Sequence, residues 1–311
     1  MKIIITGACG HIGSFLVENL SKIKKVKKTI LIDSMRTNKF NSLFKLSKEP
    51  NFSFYQRDLS IKDSLSSFKN VDIIIHCASM TDAANSFGIE KLMYKNNLGC
   101  MKTVLDYCIK NKTKLIHIST TSVYGKQANV VNENDHHLLN PQSPYAEIKL
   151  IEEKLLLKNS KKIKFNSFRF GTIAGVSRGM RFHTAINKFC LNAAFNKDIT
   201  VYQTAYNQYR PYLTLRDSFK VFKFCIENNF FKNETYNALS GNFTVKQIID
   251  KIKKYKKNVK IKYTKSAIMN QLTYHVSPLK LKNSGLTLKT DISKDIKETL
   301  SLFKNISNHE V

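Results

Sequence analysis

Over its first 170 residues the chain alternates short β-branched runs with amphipathic stretches, and few folds accommodate that alternation. Lys2–Thr6, Thr29–Asp33, Phe52–Gln56, Asp72–Cys77, Lys114–Ser119 and Lys164–Phe170 read as strands. His11–Lys22, Ile61–Phe68, Ile89–Asn111 and Tyr145–Asn159 read as the helices between them. Strand and helix in turn imply right-handed crossovers and a parallel sheet covered on both faces. Beyond Phe170 the pattern loosens into a Gly/Ser/Arg-rich loop (Gly175–Arg181), a helix near Thr184–Asn196 and a last helix near Ser293–Asn305. The run Glu234–Ser240 reads as one more strand, returning to the main sheet. The expected organisation is a large domain over residues 1–170 and a smaller, discontinuous C-terminal α/β lobe over 171–311.

An apolar content of 42%, with 20 Phe and 13 Tyr, supplies enough core for such a sheet. No apolar run approaches the roughly 20 residues that span a bilayer. The N-terminus lacks a signal-peptide pattern, so a cytoplasmic protein without membrane association is expected. Cysteines at 9, 77, 100, 108, 190 and 225 form no Cys-x-x-Cys pair, which suggests neither a metal site nor a disulfide framework. The net charge of +28 raises nucleic-acid binding as a possibility. The basic residues are 44 Lys and only seven Arg, spread over the whole chain. A nucleic-acid reader concentrates Arg on one face for two-point contacts, so no nucleic-acid partner is expected.

Gly7-Ala-Cys-Gly10-His11-Ile12-Gly13 follows the first strand and opens the first helix. Such a turn lets backbone approach a pyrophosphate, and the helix N-terminus offers N–H groups and a positive dipole end to the phosphates. Asp33 ends the second strand, 20 residues after Gly13. A carboxylate there accepts hydrogen bonds from ribose hydroxyls and repels a 2′-phosphate, which favours NAD over NADP. Arg36 stands near enough to argue the other way. The expected fold is therefore a Rossmann-type, doubly wound parallel sheet.

Tyr145 and Lys149 lie four apart on one helix face, just after Pro144. An ammonium there lowers the pKa of the phenol towards working pH, so that it can take a proton from an alcohol. The fifth strand runs out into Thr120-Thr121-Ser122, a hydroxyl cluster at the edge where such sheets bind ligands.

With these residues in place, the chain resembles an extended short-chain dehydrogenase/reductase of the NAD-dependent sugar-nucleotide epimerase/dehydratase family. The likeness rests on the Gly7/Gly10/Gly13 turn, Asp33, Arg57-Asp58-Leu59, His76-Cys77-Ala78-Ser79 and Asn97-Leu-Gly99. It continues through Thr120–Gly125, Tyr145 with Lys149, and Arg210-Pro-Tyr-Leu-Thr-Leu-Arg-Asp217. The resemblance implies that Tyr145 is the general base, that Lys149 tunes it and holds the nicotinamide ribose, and that Thr120 bonds the reacting sugar oxygen. It implies that Asp58 reads the adenine, that His11, Ile12, Leu59, Cys77, Ala78, Ser79 and Asn97 line the NAD path, and that Arg210 meets a substrate diphosphate. The implied partners are a nucleotide-diphosphate hexose or heptose and a second copy of the chain, paired through the helices at 89–111 and 145–159. The implied role is in making sugars for surface polysaccharides.

Within the family the first step is removal of hydride, usually from C4 of the sugar. The 4,6-dehydratases carry Asp-Glu directly after the catalytic Thr, where this chain has Thr121 and Ser122. Decarboxylases need Glu, and 3,5-epimerising members Cys, where Ser122 stands. A 4-epimerase, a 4-dehydrogenase or a 4-ketoreductase remains, beside a non-catalytic NAD-binding scaffold. Thr172 replaces a substrate-contacting Asn of the family, and the segment with Arg181 and His183 departs from the common pattern. Thr121, Ser122, Thr172, Arg181, His183 and Arg210 are the candidate substrate contacts.

Overall fold

The computed structural model describes residues 1–81, 88–265 and 274–306. Its strands are β1 (Lys2–Thr6), β2 (Lys28–Asp33), β3 (Asn51–Gln56), β4 (Ile73–His76), β5 (Lys114–Thr120), β6 (Val130–Val131) and β7 (Phe165–Phe170). They continue with β8 (Thr172–Ala174), β9 (Ile199–Tyr202), β10 (Tyr209–Thr214), β11 (Glu234–Ala238), β12 (Gly241–Thr244), β13 (Ile261–Thr264) and β14 (His275–Val276). The helices are α1 (His11–Asn19), α2 (Glu90–Asn111), α3 (Pro144–Lys158), α4 (Ala185–Ala194), α5 (Leu215–Glu227), α6 (Val245–Lys253), α7 (Leu279–Asn283) and α8 (Ile292–Ser301).

Seven strands form one sheet in the order β11-β7-β5-β4-β1-β2-β3, every neighbouring pair parallel. Ile3–Ile5 and Ile73–Ile75 are fully buried, as strands covered on both faces require. Their side chains alternate between the two faces. Ile3 and Ile5 pack with Leu16 and Val17 of α1 and Phe219 and Phe222 of α5, while Ile4 packs with Met101 and Val104 of α2 and Leu156 of α3. Strand order reverses between β1 and β4, and the crevice at that reversal is where open α/β sheets take ligands. The segment read as a returning strand does return: β11 pairs with β7, Tyr236 beside Phe168.

Two helix expectations need correction. Ile61–Phe68 forms successive turns, with Ser66 N–H donating to Asp63 (2.9 Å) and Phe68 N–H to Leu65 (3.1 Å). Asp63 sits at φ +60°, which breaks a helix at its third residue. Leu65 and Phe68 still fill the core from these turns. The last helix ends at Ser301 and gives way to turns before Asn305.

After β7 a three-stranded sheet (β12-β10-β8) and the pair β13-β9 surround a separate core built from α4, α6 and α8. Among the described residues no helix is long and apolar enough to cross a membrane.

Candidate active site

A cleft of about 540 Å³ opens at the carboxyl ends of β1, β2 and β4, at the reversal of strand order. Gly7 forms its floor at φ +63°, and a Cβ there would lie 2.7 Å from the Ala78 backbone nitrogen, so the β1 turn and the β4 loop touch backbone to backbone. A Cβ on Gly13 would meet the Gly7 carbonyl oxygen at 2.2 Å, so only a glycine lets the first turn of α1 close on the turn after β1. Gly10 caps α1 without any side-chain hydrogen bond, so no capping side chain occupies the first-turn N–H groups at this edge of the cleft.

Asp33 accepts from the Cys9 N–H (3.0 Å) and the Met35 N–H (2.9 Å), which fixes its carboxylate at the cleft wall. Arg36 does not stand ready for a phosphate. Its guanidinium donates to Asp58 at 2.6 Å and to Asn96. Burial opposes the charge on Asp58, but Ser60 and Arg36 outweigh it and hold its pKa below the usual carboxylate value. Leu59, Cys77, Ala78 and Ser79 complete this wall. Asn97 lies behind it, bonding the Met80 backbone at both ends (2.8 and 2.9 Å) and so fastening the β4 loop. Ile12 points away from the cleft and packs on the core under α1.

The opposite wall comes from residues 175–183. His11 shares a 2.9 Å hydrogen bond with the Gly175 carbonyl, the Gly179 N–H donates to Ser14 (2.9 Å), and Arg178 pairs with Glu18 (2.6 Å). Lys39 donates to the carbonyls of Gly179 and Met180 at 2.7 and 3.0 Å. This clasp puts Arg181 and His183 on the cleft, where Arg181 also bonds Thr81. Burial, reinforced by Arg181, pushes the His11 imidazole down to about 3, so it is neutral at physiological pH. Sequence reasoning missed Lys39, which sits in a long irregular connection with no motif around it.

Tyr145 and Lys149 stand on α3, which Ser143 caps by accepting from Ala146 N–H (3.2 Å) with Pro144 in the first turn. Lys149 is buried and Tyr145 half-buried. Burial raises the Tyr145 phenol above its ordinary value, while Lys149 and Arg181 pull it down. The cation thus acts in the expected direction, but in the bare protein burial outweighs it. Thr120 ends β5 and exchanges 3.2 Å hydrogen bonds with Ser122. Thr121 is turned inward, onto the Phe170 carbonyl (3.3 Å) and the Tyr274 hydroxyl (3.4 Å). Thr172 pairs with Tyr212, two residues beyond Arg210 on β10, so the three fall on one side of the small sheet. Thr120, Tyr145, Lys149, Thr172 and Arg210 do not line the cleft itself; Arg181 on the cleft acts by charge on Tyr145, and Lys149 on the cleft-lining Cys77 and Cys100.

A doubly wound sheet, a glycine turn under a helix N-terminus, an acidic β2 end and a Tyr-x-x-x-Lys helix together define the extended short-chain dehydrogenase/reductase class. The chain belongs to the NAD-dependent epimerase/dehydratase family, whose model matches residues 3–238. It is 34% identical over 198 residues to an uncharacterized UDP-glucose epimerase of Bacillus subtilis, a match covering 60% of this chain and 62% of that one. It is 32% identical over 238 residues to a dTDP-D-glucose 4,6-dehydratase of Dictyostelium discoideum, covering 71% of this chain and 54% of that one. The chain therefore spans roughly half to two thirds of these relatives' length. The fold matches that of UDP-glucuronic acid 4-epimerase from Bacillus cereus in complex with UDP-glucuronic acid and NAD, with a TM-score of 0.86. That match covers 98% of this chain and 100% of that one at 24% identity.

Proposed function

We propose that the chain is an NAD-dependent oxidoreductase acting at C4 of a nucleotide-diphosphate sugar, as a 4-epimerase or 4-dehydrogenase. The observation that carries this reading is a cleft of about 540 Å³ at the reversal of strand order, lined by the glycine turn and Asp33, with Arg181 on its wall acting by charge on Tyr145. The glycine turn, the open α1 N-terminus and Asp33 fit the pyrophosphate and ribose of NAD. When bound, that cofactor supplies the hydride acceptor. Tyr145 takes the proton of the sugar hydroxyl, Lys149 stabilises the phenolate by its charge, and Thr120 orients the hydroxyl by accepting or donating a hydrogen bond. The lobe beyond Gly171 supplies Thr172, Arg181, His183 and Arg210 to the sugar nucleotide, Arg offering the diphosphate a planar two-point contact. The same set run in reverse serves a 4-ketoreductase.

The test is a screen of UDP-, GDP-, CDP- and dTDP-linked sugars carrying deuterium at C4, with mass spectrometry following the label. Efficient oxidation of a phosphate-free alcohol, alongside weak calorimetric binding of every sugar nucleotide, would overturn the assignment. Arg210→Ala should raise KM for the accepted sugar nucleotide about tenfold or more while NAD affinity changes little, since a hydrogen bond to a charged group is worth roughly 1.5–3 kcal/mol.

Cofactor choice is tested separately. With Arg36 engaged by Asp58 and Asn96, NAD should bind far better than NADP, and Asp33→Ala should narrow the gap about tenfold or more. Equal calorimetric affinities in the unmutated protein would count against the role given to Asp33.

We also read the chain as a homodimer. Helices α2 and α3 pack side by side and leave Leu92 and Leu157 about half exposed, at 53% and 45%. Sedimentation at micromolar concentration should show the dimer, and a monomer there would refute it.

A further inference from the structure

Beneath Tyr145 lies a charged group that neither the motif nor the proposed chemistry uses. The Lys149 ammonium does not end in open space. It donates to the Glu152 carboxylate at 2.7 Å, and the two side chains are only 3% and 1% exposed. The same Glu152 oxygen meets His117 Nε2 at 2.9 Å, and His117 Nδ1 meets the Ser167 hydroxyl at 2.8 Å. Since a carboxylate only accepts, His117 donates through Nε2 and accepts through Nδ1, one fixed tautomer. Strands β5 and β7 thereby hold a carboxylate of α3 one helical turn below Lys149.

We propose that Glu152, fixed by His117 and Ser167, is a positioning residue that pins the Lys149 ammonium under Tyr145 and sets the pH range in which Tyr145 can act as base. The assignment rests on the reading of Tyr145 as that base. A buried ammonium is otherwise costly and tends to shed its proton. Burial pulls the Lys149 pKa down, but Glu152 beside it keeps the ammonium charged and moves that pKa up overall. Burial likewise works to raise Glu152, yet Lys149 and His117 outweigh it and take the carboxyl down to about 2. The carboxylate has a second effect: it offsets part of the attraction between Lys149 and the Tyr145 phenolate, and so works to raise the phenol. The other titratable or charged groups around the assembly are His76 of β4, Cys77 just beyond it, Cys100 of α2, Arg181 from the opposite wall, and Glu153, whose charge Arg169 of β7 already neutralises. Burial keeps both His76 and His117 neutral, so Glu152 is the anion set directly against Lys149.

A merely structural carboxylate would leave the titration of Tyr145 where it is, and Glu152 should not. Glu152→Gln keeps the shape and, with Lys149 still protonated, leaves the cluster with one more net positive charge, so Tyr145 should lose its proton at lower pH. A midpoint that rises instead marks an ammonium that has shed its proton without Glu152 and supports the pinning role. The readout is phenolate absorbance near 295 nm across a pH titration, taken as the difference between a protein and the same protein carrying Tyr145→Phe. The midpoint should fall by about one pH unit or more, from the Coulomb energy of a charge a few ångströms away in a partly buried site. The acid limb of the kcat/KM profile should move the same way, with KM for the sugar nucleotide little changed. Where the amide is not tolerated, Glu152→Met removes the same charge at similar volume and the same shift is expected. An unshifted midpoint in a folded variant overturns the assignment. The absorbance titration needs no substrate, so a shifted midpoint without turnover of any sugar nucleotide would sink the reaction assignment and leave Glu152 standing.

Discussion

Tyr145→Phe should lower kcat by about 10²–10⁴-fold, the usual loss on removing a positioned acid–base group, while NAD affinity stays nearly intact. The substitution removes one hydroxyl from a half-buried ring on α3, a helix whose cap and first turn do not depend on it. The cofactor cleft is lined by other residues, so binding and turnover should separate cleanly. Burial raises the Tyr145 phenol in the bare protein, and turnover in the unmutated enzyme should accordingly climb as pH rises and fade on acidification. A Tyr145→Phe variant with unchanged kcat would remove Tyr145 from the mechanism altogether.

The largest effect on stability should come from Arg169→Met. Arg169 is 2% exposed and donates to Glu153 from Nε at 3.1 and 3.3 Å and from Nη2 at 2.7 Å. Its Nη1 donates to the Tyr124 hydroxyl (2.8 Å), which donates in turn to Asn237 (2.9 Å), and Ser119 donates to Glu153 from the other side. The pair ties α3 to β7, β5 and β11 in one unit. Removing the guanidinium strands a buried carboxylate, which costs about 3–5 kcal/mol, whereas replacing both partners by apolar or neutral groups is often nearly neutral. Urea unfolding should therefore show a large loss for Arg169→Met and partial recovery when Glu153→Gln is added. Additive losses in the double variant would contradict the pairing.

What the sequence disclosed and what it hid divide along chain separation. The β1 turn, α1 and Asp33 are legible because one contiguous stretch carries strand, glycines and helix. Tyr145 and Lys149 are legible for the same reason. The turns at Ile61–Phe68 read as a helix because Leu65 and Phe68 are spaced like helix residues, while the left-handed backbone at Asp63 breaks the run. The Glu153–Arg169 and Glu152–His117 pairs carried no local signal, since a carboxylate on a helix ordinarily reads as a solvated face. The clasp of residues 175–183 on α1 was likewise hidden, joining positions 164 and 165 residues apart at His11–Gly175 and Ser14–Gly179.

That clasp also bears on the order in which the protein can become competent during synthesis. The glycine turn leaves the ribosome more than 160 residues before its far wall. Helix α5 and strand β11, which cover and extend the main sheet, come later still, at Leu215–Glu227 and Glu234–Ala238. A nascent chain halted after Phe170 holds every glycine of the dinucleotide motif and both Tyr145 and Lys149, but has one wall of the groove missing and one sheet face half bare. Capture of the nucleotide thus waits on synthesis of residues 175–183, and a product truncated before them is left without the ligand that would steady it.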